Sequence, residues 1–282
     1  MGLSGFAEKL IAGRWIAGAT LDDAVRRSKQ LNGMGYKVTL NYLGEALREK
    51  AEMESAMAVY MGLISAIHRN RLNADISIKP TQIGVGSDVG YAKKAYSGIV
   101  SAARNAHVYT WLDMESHQYV DATIRLCLGE SKKGMVGICI QSYLKRSASD
   151  IRRVVRAGCG VRLVKGAYSE SSRIAYASRD AVENNYISLM HYLFRHSDNF
   201  IIATHDTRLI EEAEELNKTY RRHVEYAMLN GIRNSYSKML VKKGESVLLY
   251  VPFGEKWLDY SYRRLRELGH LSLVLRSLLP GS

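Results

Sequence analysis

The sequence predicts an α/β fold, a distorted (β/α)8 TIM-type barrel, from three observations. Eight short β-rich runs recur along the chain, each bounded by turn residues. Longer segments with helical spacing of apolar residues lie between many of them. No two runs are joined by the two-residue turn that a hairpin needs, so parallel pairing through crossovers is favoured. A doubly wound open sheet is the main alternative architecture.

Residues 1 to about 35 are expected to form a short helical preface covering part of the barrel. The strand candidates are then Lys37 to Leu43, Asp75 to Pro80, His107 to Met114, Met135 to Gln141, Val161 to Tyr168, Phe200 to His205, Val224 to Leu229, and Val247 to Phe253. Runs such as Val136-Gly137-Ile138-Cys139-Ile140 and Val247-Leu248-Leu249-Tyr250-Val251 are too apolar for a strand that is wet on one face. Helices covering a parallel sheet account for that composition. The helix candidates are Ala46 to Asn70, Asp88 to Arg104, Ser116 to Leu128, Ser171 to Arg195, Thr207 to Tyr220 and Trp257 to Leu268, none with an internal proline.

No linker or low-complexity stretch interrupts the 282 residues, which are expected to form one domain. With 46% hydrophobic and 24% charged residues, the chain has the balance of a globular protein with a large core. Cys127, Cys139 and Cys159 form no Cys-x-x-Cys pair, which argues against a disulfide framework or zinc knuckle and fits a reducing cytoplasm. They are expected as apolar filler. The eight histidines form no His-x-His or His-Glu-x-x-His arrangement, so a metal site is not expected. Glu8, Lys9 and Arg14 break the N-terminal apolar runs, and no stretch reaches the roughly 18 apolar residues of a membrane span. Export and membrane insertion are therefore not expected. A net charge of +12 brings nucleic acid, anionic lipid and phosphate-bearing cofactors into view. The basic residues are scattered among acids, however, as on a solvated surface, and no nucleic-acid partner is expected.

In a barrel of this kind function sits where strands give way to loops at the carboxyl face. Polar residues gather there: Lys79 after the second strand, Asp113-Met114-Glu115 at the third, and Gln141 at the fourth. The fifth carries Arg162 and Lys165-Gly166-Ala167-Tyr168, the sixth Thr204-His205-Asp206, and the seventh Glu225 with Asn230. Ionisable groups on apolar strands are costly unless paired or bound to a ligand. The fifth strand is the densest, since a cation and free backbone N–H groups beside a glycine suit an anion or an electron-rich ring. Neither Gly-x-Gly-x-x-Gly nor a phosphate loop ending in Gly-Lys-Ser/Thr occurs, which removes the Rossmann and kinase readings. Near the C-terminus, Tyr260, Arg263, Arg264 and Glu267 fall three to four residues apart on a predicted helix. Two guanidinium forks there match a carboxylate or a phosphate.

In these pieces the sequence resembles the proline dehydrogenase family. The match runs through Asn41-Tyr42-Leu43-Gly44-Glu45, Ser77-Ile78-Lys79-Pro80, Asp113-Met114-Glu115, Gln141-Ser142-Tyr143-Leu144, Arg162-Leu163-Val164-Lys165-Gly166-Ala167-Tyr168, Ala203-Thr204-His205-Asp206, Tyr250-Val251-Pro252-Phe253-Gly254 and Tyr260-x-x-Arg263-Arg264-x-x-Glu267. The resemblance implies a barrel with flavin at its carboxyl face and a last helix over the mouth. It implies Asp113 and Arg162 as catalytic. Met114, Gln141, Lys165, Gly166, Ala167, Thr204, His205 and Glu267 would join Arg162 around the cofactor. Lys79, Arg263, Arg264, Tyr250, Tyr260 and Tyr168 would hold L-proline. It further implies FAD, with FMN as the alternative because Ser169 stands where many relatives carry tryptophan. Oxidation of L-proline would pass electrons to a quinone, with peripheral contact at the inner membrane face. The competing readings are another flavin- or phosphate-binding barrel and a non-catalytic basic binding protein.

Overall fold

A computed structural model of the chain describes residues 15–257. Eight strands pair in sequence order into a closed barrel: β1 (Lys37–Tyr42), β2 (Ala74–Ile78), β3 (Thr110–Leu112), β4 (Val136–Gln141), β5 (Gly160–Val164), β6 (Phe200–Ala203), β7 (Glu225–Leu229) and β8 (Ser246–Phe253). Each neighbouring pair is parallel, and β8 closes the ring on β1 with Thr39 opposite Tyr250 and Leu40 opposite Val251. The open-sheet alternative is thereby excluded.

Helix α1 (Leu21–Gly33) precedes the barrel and packs on β1 and β8. Thr20 caps it by accepting from the Asp23 N–H, while Asp23 accepts from the Thr20 N–H, so two otherwise open donors are satisfied. The crossover helices follow in order: α2 (Lys50–Arg69), α3 (Val89–Asn105), α4 (Val120–Glu130), α5 (Ser147–Arg156), α6 (Arg179–His196), α7 (Thr207–Tyr220) and α8 (Asn234–Lys242). The Trp257 to Leu268 segment expected as the last helix lies outside the described residues beyond Trp257, as do residues 1–14 of the preface.

All eight predicted strands form, seven of them shorter than expected and the eighth longer by Ser246. The third keeps only Thr110–Leu112 of the expected His107 to Met114, because His107 takes a left-handed turn (φ 56°) on leaving α3. The second, fifth and sixth stop where their polar carboxyl-end residues begin, at Ile78, Val164 and Ala203. Residues 46–49 and 171–178 enter as loop rather than helix, and the segment at Ser116 opens with a short 3₁₀ turn, His117–Tyr119. Helices α5 and α8 were not among the expected elements.

Strand alternation divides the apolar residues between two cores. Ile76, Ile78, Leu112, Ile138, Val161, Leu163 and Ile202 point outward and are wholly buried beneath the helices. Each such burial is worth roughly 1.5–3 kcal/mol. The alternate residues Trp111, Ile201, Ala227 and Leu248 meet in a separate, small cluster. That split explains why the strands read as nearly continuous apolar runs. It also leaves the inward positions toward the carboxyl end free for polar side chains.

Candidate active site

The buried polar residues of the barrel converge on Arg162 of β5 and Asp113, which follows β3. The two residues are 3% and 8% exposed. Arg162 donates to Asp113 Oδ1 at 3.3 Å, to Ser77 Oγ at 3.2 Å and to Thr39 Oγ1 at 3.4 Å. Asp113 Oδ1 also accepts from the Ser77 hydroxyl at 2.6 Å, and Oδ2 accepts from the Tyr250 hydroxyl at 2.8 Å. Four strands or strand ends, β1, β2, β3 and β8, thus fix the cation and its carboxylate. Alternation dictates the set: Thr39, Ser77, Arg162 and Tyr250 occupy inward registers of their strands.

Cys139, paired with Arg162 across β4 and β5, lies 3.7 Å from Asp113 Oδ1 and 3.8 Å from an Arg162 nitrogen. Burial pushes its thiol up to about 12, so it stays protonated. The reading of Cys139 as apolar filler is therefore incomplete. It is buried, but it touches both charged residues of the site.

Beyond this layer stands a second group around Lys79. Its ammonium lies 3.6 Å from Glu45. Burial opposes the charge, but Tyr168, Asp113, Glu115 and Glu45 outweigh it and raise the lysine above its ordinary value. Glu115 accepts from the Thr81 N–H at 2.8 Å and the Thr81 hydroxyl at 2.7 Å; burial raises its pKa against the pull of Lys79. Burial likewise pushes the Tyr168 phenol up to about 12, with Lys79 opposing. Lys79 and Tyr168 lie close enough to act on one another electrostatically.

The fourth and fifth strands build the remaining wall. Gln141 donates to the Met114 carbonyl at 3.3 Å, while its Oε1 is buried with no hydrogen-bond partner among the described residues. Arg162 Nε is buried in the same condition. A donor and an acceptor left open on adjacent strands fit a planar heterocycle that presents both complements, as a flavin does. Gly166 adopts φ 106°, and a Cβ there would stand 2.1 Å from the Tyr143 ring, so only glycine fits against it.

Other predicted residues have local partners. Lys165 donates to Glu183 Oε1 and to Asp206 Oδ2, both at 2.9 Å, so its ammonium is committed to two carboxylates. Glu183 also accepts from Arg179 and Arg208, and the hydrogen bonds from Arg179 and Lys165 hold its carboxyl down at about 2. Thr204 accepts from the Asp206 N–H at 3.0 Å, and His205 Nε2 accepts from the Leu229 N–H at 3.1 Å. Met114 is buried, whereas Ala167 is exposed. Tyr260, Arg263, Arg264 and Glu267 lie outside the described residues. Glu225 requires a correction: it opens β7 at the amino end of the barrel and pairs with Lys37 at 3.0 Å, away from the mouth.

Sequence reading missed Thr39, Cys139, Trp111, Glu183 and Tyr143. Inward parity on strands would have found the first three; Glu183 reaches the site from helix α6 and Tyr143 from the loop after β4.

Comparison with known proteins agrees with this architecture. A family model described as proline dehydrogenase matches residues 24–275. Proline dehydrogenase 1 of Bacillus subtilis is 32% identical over 281 residues, covering 97% of this chain and 92% of that protein. The proline dehydrogenase of Deinococcus radiodurans is 30% identical over 281 residues, covering 96% and 91%. Among solved structures, proline utilization A from Bdellovibrio bacteriovorus inactivated by N-propargylglycine superposes with a TM-score of 0.87 at 21% identity. The superposition covers 98% of this chain and 35% of that one, and it speaks to fold alone. A parallel eight-stranded barrel with a buried Arg–Asp pair, matched along nearly its whole length by curated relatives, leaves one assignment: the chain belongs to the proline dehydrogenase family.

Proposed function

We propose that the chain oxidises L-proline to Δ1-pyrroline-5-carboxylate, the first step of proline breakdown. The observation that carries this reading is the pair of open hydrogen-bonding atoms, Arg162 Nε and Gln141 Oε1, in a buried wall of a proline dehydrogenase barrel. The family is flavin-dependent, and bound flavin supplies the two-electron acceptor. FAD is the form proposed, with FMN as the alternative.

In this reading the work of the protein is orientation and charge. Arg162 and Gln141 hold the cofactor, with Gly166 permitting close backbone approach and Met114, Lys165, Ala167, Thr204, His205 and Glu267 completing its surroundings. Arg162 presents positive charge where the acceptor gains electrons. Arg263 and Arg264 grip the proline carboxylate as a bidentate pair. Tyr168, Tyr250 and Tyr260 pack on the pyrrolidine ring. Tyr250 is pinned by its bond to Asp113, which makes Asp113 the residue that ties substrate wall to cofactor wall. Lys79, held protonated by its acidic neighbours, contributes a fixed cation and is unsuited to accept a proton. Proline must therefore arrive with its amine deprotonated. The nitrogen lone pair then forms the C=N bond as the adjacent ring carbon gives up a hydride, and the nitrogen releases its proton.

A quinone is the proposed electron acceptor, met by a cytoplasmic enzyme at the inner face of the membrane. Among the described residues no helix is long and apolar enough to cross a bilayer. The test is proline-dependent reduction of an artificial dye by the purified protein, together with identification of the released flavin. Dye reduction with L-proline and recovery of FAD support the proposal; a protein that binds flavin yet ignores L-proline overturns it.

A further inference from the structure

The barrel interior beneath Arg162 contains a feature that the proposed chemistry does not explain. Trp111 of β3 is 1% exposed and belongs to the small inner cluster of the barrel, with the Arg162 guanidinium carbon 4.9 Å from its ring centroid. On the other flank the same guanidinium lies 5.9 Å from the Tyr250 ring. The indole has a built seat. A Cβ on Gly137 would fall 2.3 Å from it, and one on Gly160 would fall 3.1 Å from it and 2.4 Å from the Tyr109 hydroxyl. Two strands have thus given up their side chains to admit one large ring.

The ring is also tied. Its Nε1–H donates to Asp75 Oδ2 at 3.1 Å. The same carboxylate oxygen lies 2.9 Å from Lys37, which in turn pairs with Glu225 at 3.0 Å. Tyr109 packs against it with centroids 4.8 Å apart. A simple filler would need none of these bonds; aliphatic side chains fill the rest of this layer, at Ile201, Ala227 and Leu248.

Arg162 donates from its two terminal nitrogens, to Ser77, Asp113, Cys139 and Thr39. They fix the guanidinium within its plane. Tilt about that plane is set by the aromatic faces, and a cation prefers to lie over them. Nε, the atom left open for the cofactor, moves with that tilt. We propose that Trp111 is a positioning residue that sets the orientation of Arg162 toward the flavin, with Asp75 and Lys37 fixing Trp111 in turn. The proposal rests on the flavin-dependent reading above.

The test uses flavin-loaded Trp111→Met and Trp111→Phe proteins. Methionine keeps much of the volume without a ring; phenylalanine keeps a ring face without the bond to Asp75. For Trp111→Met the expected result is a midpoint potential of the bound flavin lowered by about 30 mV, the two-electron equivalent of a tenfold change. The rate of flavin reduction by L-proline should fall about tenfold, with the proline concentration at half-saturation changed by less than about threefold. Trp111→Phe should restore both within about threefold. In an Arg162→Lys background, Trp111→Met should leave the potential unchanged, since the group it orients is gone.

An unaltered potential in flavin-loaded Trp111→Met overturns the proposal, and so does an equal shift in both backgrounds. If Trp111→Met fails to fold, a Trp111→Phe potential shifted as far as that expected for Met overturns it, and one close to wild type supports it. Failure of wild-type flavin to respond to L-proline would instead strike the functional reading, so the two failures are distinguishable.

Discussion

Replacing Arg162 by alanine tests how far the site is a charge-paired unit. Arg162 and Asp113 are both buried, and the substitution leaves the carboxylate without its cation. Breaking a buried pair from one side costs about 3–5 kcal/mol. Asp113 keeps two neutral donors, Ser77 at 2.6 Å and Tyr250 at 2.8 Å, which argues for the lower end. Loss of the ring contacts with Trp111 and Tyr250 adds up to about 2 kcal/mol when desolvated. The expected total is about 3–5 kcal/mol, read from urea unfolding followed by circular dichroism. Arg162→Ala combined with Asp113→Ala removes both charges, so the double variant should be less destabilised than the sum of the singles by about 2 kcal/mol. Additivity within about 0.5 kcal/mol would refute the pairing as an energetic unit. Flavin content should fall in step, because the open Nε goes with the side chain.

Four further outcomes are expected. Gly166→Ala should lower stability by at least about 2 kcal/mol, since the new methyl strains a φ of 106° and strikes the Tyr143 ring; thermal unfolding checks it. Tyr250→Phe removes the hydroxyl bond to Asp113 and should raise KM for proline several-fold at a stability loss of about 1 kcal/mol, checked by steady-state kinetics and urea unfolding. Glu183 has a lowered carboxyl pKa, so its ion pairs stabilise the fold above about pH 4.5, and that contribution is lost as pH falls toward about 2. Glu183→Gln should remove about 1 kcal/mol of that acid dependence, the modest size reflecting the solvent around Arg179 and Arg208; denaturation midpoints across pH 2–5 check it. Arg264→Ala should raise KM for proline while flavin is retained, a loss of about 2–4 kcal/mol in kcat/KM.

The barrel was legible because parallel strands buried on both faces leave a strong signature: apolar runs such as Val136 to Ile140, spaced by segments long enough for crossovers. Helix α5 was not: its buried face, Ser147, Asp150, Ile151 and Val154, has regular helical spacing, but only two of the four are apolar, so it does not stand out as an apolar stripe. Helix α8 is preceded by Arg233 in a left-handed conformation that provides no side-chain cap, so no capping signal marks its start. Of the site, Arg162, Asp113, Lys79 and Tyr168 were visible as polar residues on or beside apolar strands, while Tyr250 came only from the family resemblance. Lys165 shows the limit of that reasoning: its charge was evident, but Glu183 and Asp206 reach it from α6 and the loop before α7, contacts that strand position alone does not encode. Glu225 was assigned to the wrong end for a related reason, since a charged residue near a strand boundary does not reveal which boundary it marks. Trp111 drew no role from the sequence; the room that Gly137 and Gly160 make for it is evident only in the structure.

The central claim is that a cation-lined barrel interior sets L-proline against a bound flavin, and anaerobic titration of the flavin-loaded protein tests it most directly. Stepwise addition of L-proline should bleach the flavin absorbance near ~450 nm to completion, with one proline consumed per flavin reduced. Persistence of the oxidised spectrum in saturating L-proline would contradict the account.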